Sequence, residues 1–472
     1  MAVRLSDEQV VQATGATRAA PGARAAYEAV CTDTRALTPG CLFVALEGER
    51  FDAHAFLPQA AAGGAAGALV RRGRALPALP PGFALYAVDD TLMGLGALAR
   101  FHRQRFGLPV GAVGGSNGKT TTKEMVGAIL SVRGPALKTE GNLNNEVGVP
   151  LTLFRLEPTH VAAVIEVGMN RPGEISRLTR ITRPDAGLIT VVQPEHLEGL
   201  GSLEGVADAE GELFAELPPT ATAVVNLDDP LIAERAAKSR AKKLGFGRAA
   251  QADVRLADVK LRGRAGMTAT VRYQERDWPV QLSFVGEHNA LNATGAFALA
   301  LALGYSPEEC VAGLAQARPY ARRLNVVDAV VAGVGSITVV DDCYNANPAS
   351  MNAALDTLSS LVAEGGRALA VLGDMLELGA GELEEHAQLG ARVAAGRVER
   401  VAFFGPRSVE GFGAARALGE RAAHFTEVEP LVAWLKPQLR EGDVVLVKAS
   451  RGMRLERVVA ALTGTPLAGG GH

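Results

Sequence analysis

Residues 111–125 read GAVGGSNGKTTTKEM, and the fold turns on how they are read. The apolar run Pro109–Val113 leads into Gly114, Gly115 and Gly118, then Lys119-Thr120-Thr121. After that Met125, Ile129 and Val132 recur at steps of three to four, so the pattern becomes helical. A strand, a glycine turn and a helix start in that order make a phosphate cradle. Glycines let backbone N–H groups approach an anion, the helix N-terminus favours negative charge and a lysine neutralises it. A threonine hydroxyl at the helix start joins the shell of Mg²⁺ in such loops. The G-x-x-x-x-G-K-[ST] spacing is not met, because Val113 stands five residues before Gly118. The candidate phosphate residues are Gly115, Ser116, Asn117, Gly118, Lys119, Thr120 and Thr121.

Downstream, short β-branched runs bounded by polar or glycine signals read as buried parallel strands: Val161–Val167, Ala186–Val192 and Ala223–Leu227. The first carries Glu166, a carboxylate at a strand end beside the phosphate loop, where a Mg²⁺ ligand belongs. The alternative is a satisfied, partly buried glutamate. His196 follows the next strand, as a metal ligand or as a cap. On the helix behind it Asp208 and Glu212 share a face, with Glu210 turned away; a solvated acidic helix is the default expectation. Asn142, Asn144 and Asn145 either bind a ligand or cap turns. His288, Asn289 and Asn292 open a further helix, where amides either meet a base edge or cap. Val254–Phe284 alternates and reads as an antiparallel meander or hairpin.

Two more units flank this one. Upstream, a strand at Leu42–Leu46 follows the loop Thr32–Gly40, and a helix from Thr91 leads to a boundary at Gly107–Pro109. Downstream of Pro319, strands at Ile337–Val340, Ala368–Leu372, Val401–Phe404 and Val444–Val447 alternate with helices, which predicts a second doubly wound sheet. Its strand-end loops DDCYNANPASM (Asp341–Met351), VLGDMLELG (Val371–Gly379) and VLVKASRGM (Val445–Met453) are rich in Asp, Asn, Lys and Arg. The expected class is α/β in three domains, 1–107, 108–317 and 318–472. The tail TPLAGGGH is expected to be disordered.

Composition sets bounds. The 472 residues are 48% hydrophobic and 21% charged with net charge −3, enough for large cores and no argument for nucleic acid. The apolar stretch Ala290–Gly304 is too short to span a membrane. Asp7 and Glu8 stand where a signal peptide needs apolar residues. Four cysteines with no C-x-x-C pair fit a reducing cytoplasm better than a zinc or disulfide framework.

Taken together, GGSNGKTT, the Glu166 strand, His196 and HNALNA resemble the Mur ligase superfamily, from about Thr32 to Leu462. GNLNNEVGVPLTL, EVGMNRPGEI, HLEGLGSLEGVA, DDCYNANPASMNAAL and LGDMLELG resemble the branch that joins D-alanyl-D-alanine to UDP-N-acetylmuramoyl-tripeptide. The resemblance implies a small N-terminal α/β domain gripping the UDP end, a central P-loop-type ATPase domain and a Rossmann-like C-terminal domain bringing the amino substrate. It implies a cytoplasmic, monomeric ATP-dependent ligase of peptidoglycan precursor synthesis, with two Mg²⁺ ions and an acyl-phosphate intermediate. Carried over, Lys119 and Thr120 hold phosphates and Mg²⁺, Glu166 and His196 bind metal, and Asn289 and Asn292 face adenine. Arg323 and Asp342 reach ATP across the domain gap. Tyr344, Asn345 and Asn347 line the amino-substrate side, with Lys448 and Arg451 facing the same cleft. Asn142 and Asn145 are substrate candidates, and Thr34, Arg35, Asp52 and His54 match the UDP-sugar domain.

The chain departs from the family pattern at Gly114, usually Thr, at Arg322 and Ala449, each usually Gly, and at Glu210. The last usually is a lysine whose carbamate helps hold the second Mg²⁺; Glu210 is expected to replace that carbamate. Two rivals stand beside this expectation. One is a folylpolyglutamate synthetase-like ligase, opposed by the loops after Asp342 and Leu372. The other is a phosphate-loop ATPase switch module, which needs no second ligand-side sheet.

Overall fold

The computed structural model describes residues 3–24, 26–48, 51–363 and 365–465. The tail expected to be disordered is 465–472, of which positions 466–472 lie outside the described residues.

Three main sheets follow one another along the chain. The first has five strands in the spatial order Thr17–Ala20, Ala84–Val88, Gly67–Arg71, Leu42–Val44 and Val30–Cys31, parallel except at the first edge. The second has nine. Its parallel part runs Ala136–Lys138, Ala162–Glu166, Val110–Gly114, Ala186–Ile189, Thr222–Asn226 and Lys242–Gly247. The meander Val254–Leu261, Met267–Tyr273 and Arg276–Leu282 continues it, antiparallel within itself. The third has six strands: Asn325–Val331, Gly335–Asp342, Val444–Lys448, Ala368–Gly373, Val398–Phe404 and Ala422–Phe425.

The central strand Val110–Gly114 is buried at all five positions between two parallel neighbours, which is why it reads as one continuous apolar run. Register does the positioning. Val113 pairs with Glu166 and Gly114 with Ile189, so Glu166 and the loop before His196 emerge at the same sheet end as the phosphate loop. In the third sheet Lys448 lies opposite both Asp342 and Leu372, which gathers its three loops.

In the two larger sheets four strands were not expected from the sequence, and in the first sheet Thr17–Ala20, Val30–Cys31 and Ala84–Val88 were not expected either. Lys242–Gly247 begins with exposed lysines, and only its last three residues are buried. Ala136–Lys138 and Ala422–Phe425 are short, and Asn325–Val331 is an antiparallel edge that is mostly half exposed. Each lies outside the pattern of a long buried run.

The first two units also share one core. Leu95, Leu98 and Ala99 of the helix Thr91–Arg103 belong to the cluster that holds Leu153, Phe154 and Leu178 of the central unit. At the end of that helix the buried His102 meets the Leu156 carbonyl at 3.3 Å, and Arg103 donates to the carbonyls of Thr182 and Phe106. The four cysteines are free and buried, and among the described residues no helix is long and apolar enough to cross a membrane.

Candidate active site

The phosphate loop takes its shape from two glycines. Gly115 and Gly118 have φ of +113° and +82°. A Cβ at Gly115 would stand 2.2 Å from Thr190 Oγ1, and one at Gly118 2.5 Å from Asn292 Oδ1. Only glycine fits either place. Thr190 in turn donates to the Asn117 carbonyl at 2.6 Å, and Ser116 Oγ exchanges hydrogen bonds with the backbone of Gln193. The loop ends in the helix Lys119–Leu130, whose first N–H groups have no side-chain cap, the arrangement that accepts an anion.

Lys119 turns its ammonium back to the carbonyls of Gly115 and Ser116 and faces Glu195 at 3.4 Å. Burial opposes its charge, but Glu195, Glu210 and Glu166 more than offset that and hold its pKa above the ordinary lysine value. Glu195 is itself buried. Desolvation pushes its carboxyl up to about 7 against the pull of Lys119.

Glu210 corrects the expectation of a solvated acidic helix. It is fully buried, and its Oε2 accepts the Gly115 N–H at 2.7 Å. Burial raises its pKa. Of its helix neighbours, Glu212 accepts from the N–H groups of Gly173 and Ser176, and Asp208 pairs with Arg235.

Three buried oxygens around the loop have no hydrogen-bond partner: Thr120 Oγ1, Glu166 Oε2 and Glu210 Oε1. Such an atom costs about 1–3 kcal/mol when left unsatisfied, and natural proteins rarely leave several together. A hydroxyl and two carboxylate oxygens are hard donors of the kind Mg²⁺ selects, so the residues fit that ion. His196 contributes no unpartnered buried atom to this group. It holds φ of +50° and its Nδ1 pairs with Glu377 at 2.7 Å. Among the described residues, the one group of three His, Cys, Asp or Glu whose ligand atoms converge is Glu47, Asp52 and His54 in the first unit. Those side chains are already engaged: His54 Nδ1 meets Asp52 at 2.6 Å, His54 Nε2 accepts the Arg71 N–H, and Arg71 and Arg74 pair with Glu47 and Asp52.

One cleft of about 570 Å³ joins the two larger units. Ser116, Asn117, Gly118, Lys119 and Thr121 form one wall, with Asn142, Asn145, Glu166, His196, Asn289 and Asn292 beside them. Arg323, Asp342, Tyr344, Asn345, Asn347, Lys448 and Arg451 form the other. Asn117 and Asn347 touch across it at 3.2 Å. Lys448 Nζ meets Asp342 at 2.6 Å and the Asn345 carbonyl at 2.9 Å. Arg323 stacks on Tyr344.

Some amides are capping groups: Asn145 accepts from Val147 and Gly148 N–H, Asn347 caps the helix Pro348–Leu361, and Asn289 bonds the Val285 carbonyl. Asn144 is the one that reaches Glu166, at 2.9 Å. Gly115, Thr120 and Glu210 lie behind the cleft surface. Thr34, Arg35, Asp52 and His54 do not line it; Arg35 pairs with Asp33. Thr190, Gln193, Glu195 and Glu377 were not singled out from the sequence. Of these only Glu195 had a signal, a carboxylate directly before His196 at the ligand end of the sheet.

A phosphate loop at the end of a parallel sheet, facing a cationic wall carried by a second sheet, defines a nucleotide-dependent enzyme with two facing walls. Residues 113–300 match the Mur ligase middle domain, and residues 322–451 match the Mur ligase glutamate ligase domain. The UDP-N-acetylmuramoyl-tripeptide–D-alanyl-D-alanine ligase of Escherichia coli (strain K12) is 41% identical over 445 residues, covering 93% of this chain and 95% of that protein. That of Bacillus subtilis (strain 168) is 38% identical, covering 93% of each. MurF from Acinetobacter baumannii superposes with a TM-score of 0.86 at 33% identity, over 98% of this chain and 100% of that one. MurF ligase from Thermotoga maritima, solved in complex with ADP, gives 0.79 at 28% identity, over 92% and 97%. Folylpolyglutamate synthase of Mycobacterium tuberculosis, at 17% identity and 0.62 over 80% and 95%, shares the fold alone. The chain belongs to the Mur ligase family, and within it to the MurF group.

Proposed function

We propose that the chain joins D-alanyl-D-alanine to UDP-N-acetylmuramoyl-tripeptide at the expense of ATP, in the cytoplasm, as a three-domain enzyme divided near residues 107 and 317. The observation that carries this reading is the single cleft with the phosphate loop on one wall and the Arg323, Tyr344 and Lys448 loops on the other. Two successive group transfers need that arrangement, because ATP and the amine must both reach one carboxyl group without release of the activated intermediate.

In the first step a carboxylate oxygen of the tripeptide attacks the γ-phosphorus and ADP leaves, giving an acyl phosphate. In the second the dipeptide amine attacks the acyl carbonyl, phosphate leaves, and the amine loses a proton. The loop N–H groups from Asn117 to Thr121 cradle the phosphates, those of Gly115 and Ser116 being taken by Glu210 and the Val191 carbonyl. Lys119 leaves Glu195 for the transferring phosphoryl group, whose charge it offsets in a dry site. Arg323 reaches the same group from the opposite wall. Asn289 and Asn292 border the adenine side, and the first unit holds the UDP end near Thr34, Arg35, Asp52 and His54. Thr120, Glu166 and Glu210 would hold Mg²⁺, which supplies charge neutralisation on the phosphates. His196 Nδ1 faces Glu377, which leaves Nε2 as the atom through which His196 would join that set.

The test is product formation. With ATP, Mg²⁺, UDP-N-acetylmuramoyl-tripeptide and D-alanyl-D-alanine, mass spectrometry should find the pentapeptide product with wild-type protein. Lys119→Ala should slow its formation by about 10²–10³-fold, the value of one transition-state donor. No product with the wild type would overturn the proposal.

A further inference from the structure

Lys119, Arg323, Lys448 and Arg451 supply the lysine and arginine charge lining the cleft. Lys119 faces Glu195 and Lys448 faces Asp342. Neither Arg323 nor Arg451 has a carboxylate partner among the described residues. Instead both guanidinium groups rest on one ring, with Cζ 4.0 Å and 5.2 Å from the Tyr344 centroid. Two like charges on one aromatic are held against their own repulsion, so each is positioned for an anion that comes from outside.

The backbone around them is pinned. Tyr344 N–H donates to the Arg322 carbonyl at 3.1 Å, and Leu324 N–H to Asp342 at 3.1 Å. Arg322 and Leu324, on either side of Arg323, hold φ of +63° and +47°, the kind of local strain kept where a side chain must be aimed. Ser450, before Arg451, accepts the Leu376 N–H at 2.9 Å and donates to the Ala346 carbonyl.

The two arginines differ in place. Arg323 is half-buried and its Nε is sealed from solvent without a partner. Arg451 is exposed at the mouth. A nucleotide seated on the loop brings phosphates to the deeper one. The amino substrate carries one negative group, its terminal carboxylate. Its amine must lie at the acyl carbonyl, so the carboxylate falls about 7 Å away, the reach of two extended residues. A guanidinium fork binds a carboxylate with two parallel N–H bonds.

We infer that Arg451 receives the terminal carboxylate of the incoming dipeptide, and that Tyr344 is the positioning residue that keeps Arg451 and Arg323 aimed at their separate anions. This rests on the ligase reading above and names the contact that selects a free C-terminus.

The test uses the full-length enzyme with D-alanyl-D-alanine and with D-alanyl-D-alaninamide, whose terminus is uncharged. Arg451→Gln should lower kcat/KM for the dipeptide by about 10- to 100-fold, the value of one charged hydrogen-bonding contact. The KM values for ATP and for the UDP substrate should stay within about 2-fold. The same variant should leave the amide, already a poor substrate for the wild type, unchanged. Tyr344→Phe should keep both KM values and Tyr344→Ala should raise those for dipeptide and ATP together. Equal losses for dipeptide and amide would overturn the inference, as would a rise confined to the UDP substrate, which would assign Arg451 to that molecule's carboxylates. Wild-type protein inactive with the dipeptide would instead overturn the ligase reading beneath it.

Discussion

Gly114 and Glu210 form a matched pair. A Cβ at Gly114 would lie 2.8 Å from Glu210 Oε2, the oxygen that accepts the Gly115 N–H. The absence of a side chain at 114 is what lets a buried carboxylate reach the phosphate loop. Gly114→Ala should therefore push Glu210 off Gly115 and cost about 1–3 kcal/mol, the usual price of overpacking. In a Glu210→Ala background the same change should be nearly neutral, so that urea unfolding of the double-mutant cycle reads a coupling above about 1 kcal/mol. Additive effects would mean that the two residues are independent. The phosphate loop itself was legible in the sequence, because strand, glycines, lysine and helix are contiguous. Glu195 and the burial of Glu210 were not. Glu195 matters only because Lys119, 76 positions earlier, folds against it. Glu210 looked solvated because helical spacing shows which side chains share a face, not what packs on that face.

At the scale of elements, the helix Thr91–Arg103 joins the first unit to the second, and His102 is where it does so. The ring is buried against Phe106 and Phe154, at centroid distances of 5.0 Å and 6.1 Å. Burial depresses its pKa from the ordinary 6.5 to about 4. The unfolded chain takes up this proton near pH 6.5 and the folded chain only near 4. The stability involved is full above pH 6.5 and is lost as the pH falls toward 4. Replacing His102 by Phe should flatten the decline in unfolding free energy over that interval by up to about 3 kcal/mol, at 1.36 kcal/mol per pKa unit. An unchanged pH profile would show that the ring titrates normally. The alternating strands and helices of the two larger sheets were readable from short buried runs. The edge strand Asn325–Val331 was not, because half-exposed antiparallel strands carry a weaker hydrophobic signal.

Across the whole molecule, the two larger sheets present their ligand ends to each other, and Asn117 meets Asn347 at 3.2 Å where the walls touch. The central unit supplies the glycine loop and the buried Glu166, Glu195 and Glu210, while Arg323, Tyr344 and Arg451 come from the facing unit. Contacts of this kind join residues 230 positions apart, so motif and spacing showed the two walls, and their meeting was expected only through the family resemblance. An enzyme built so should spend ATP only when both acceptors are present, because the activated carboxyl needs the tripeptide and its discharge needs the amine. The most direct measurement is phosphate release from ATP with UDP-N-acetylmuramoyl-tripeptide, with and without D-alanyl-D-alanine. Sustained turnover that requires both, one phosphate per amide formed, is the predicted result. Turnover indifferent to the dipeptide would contradict the account and leave an ATPase without a ligase.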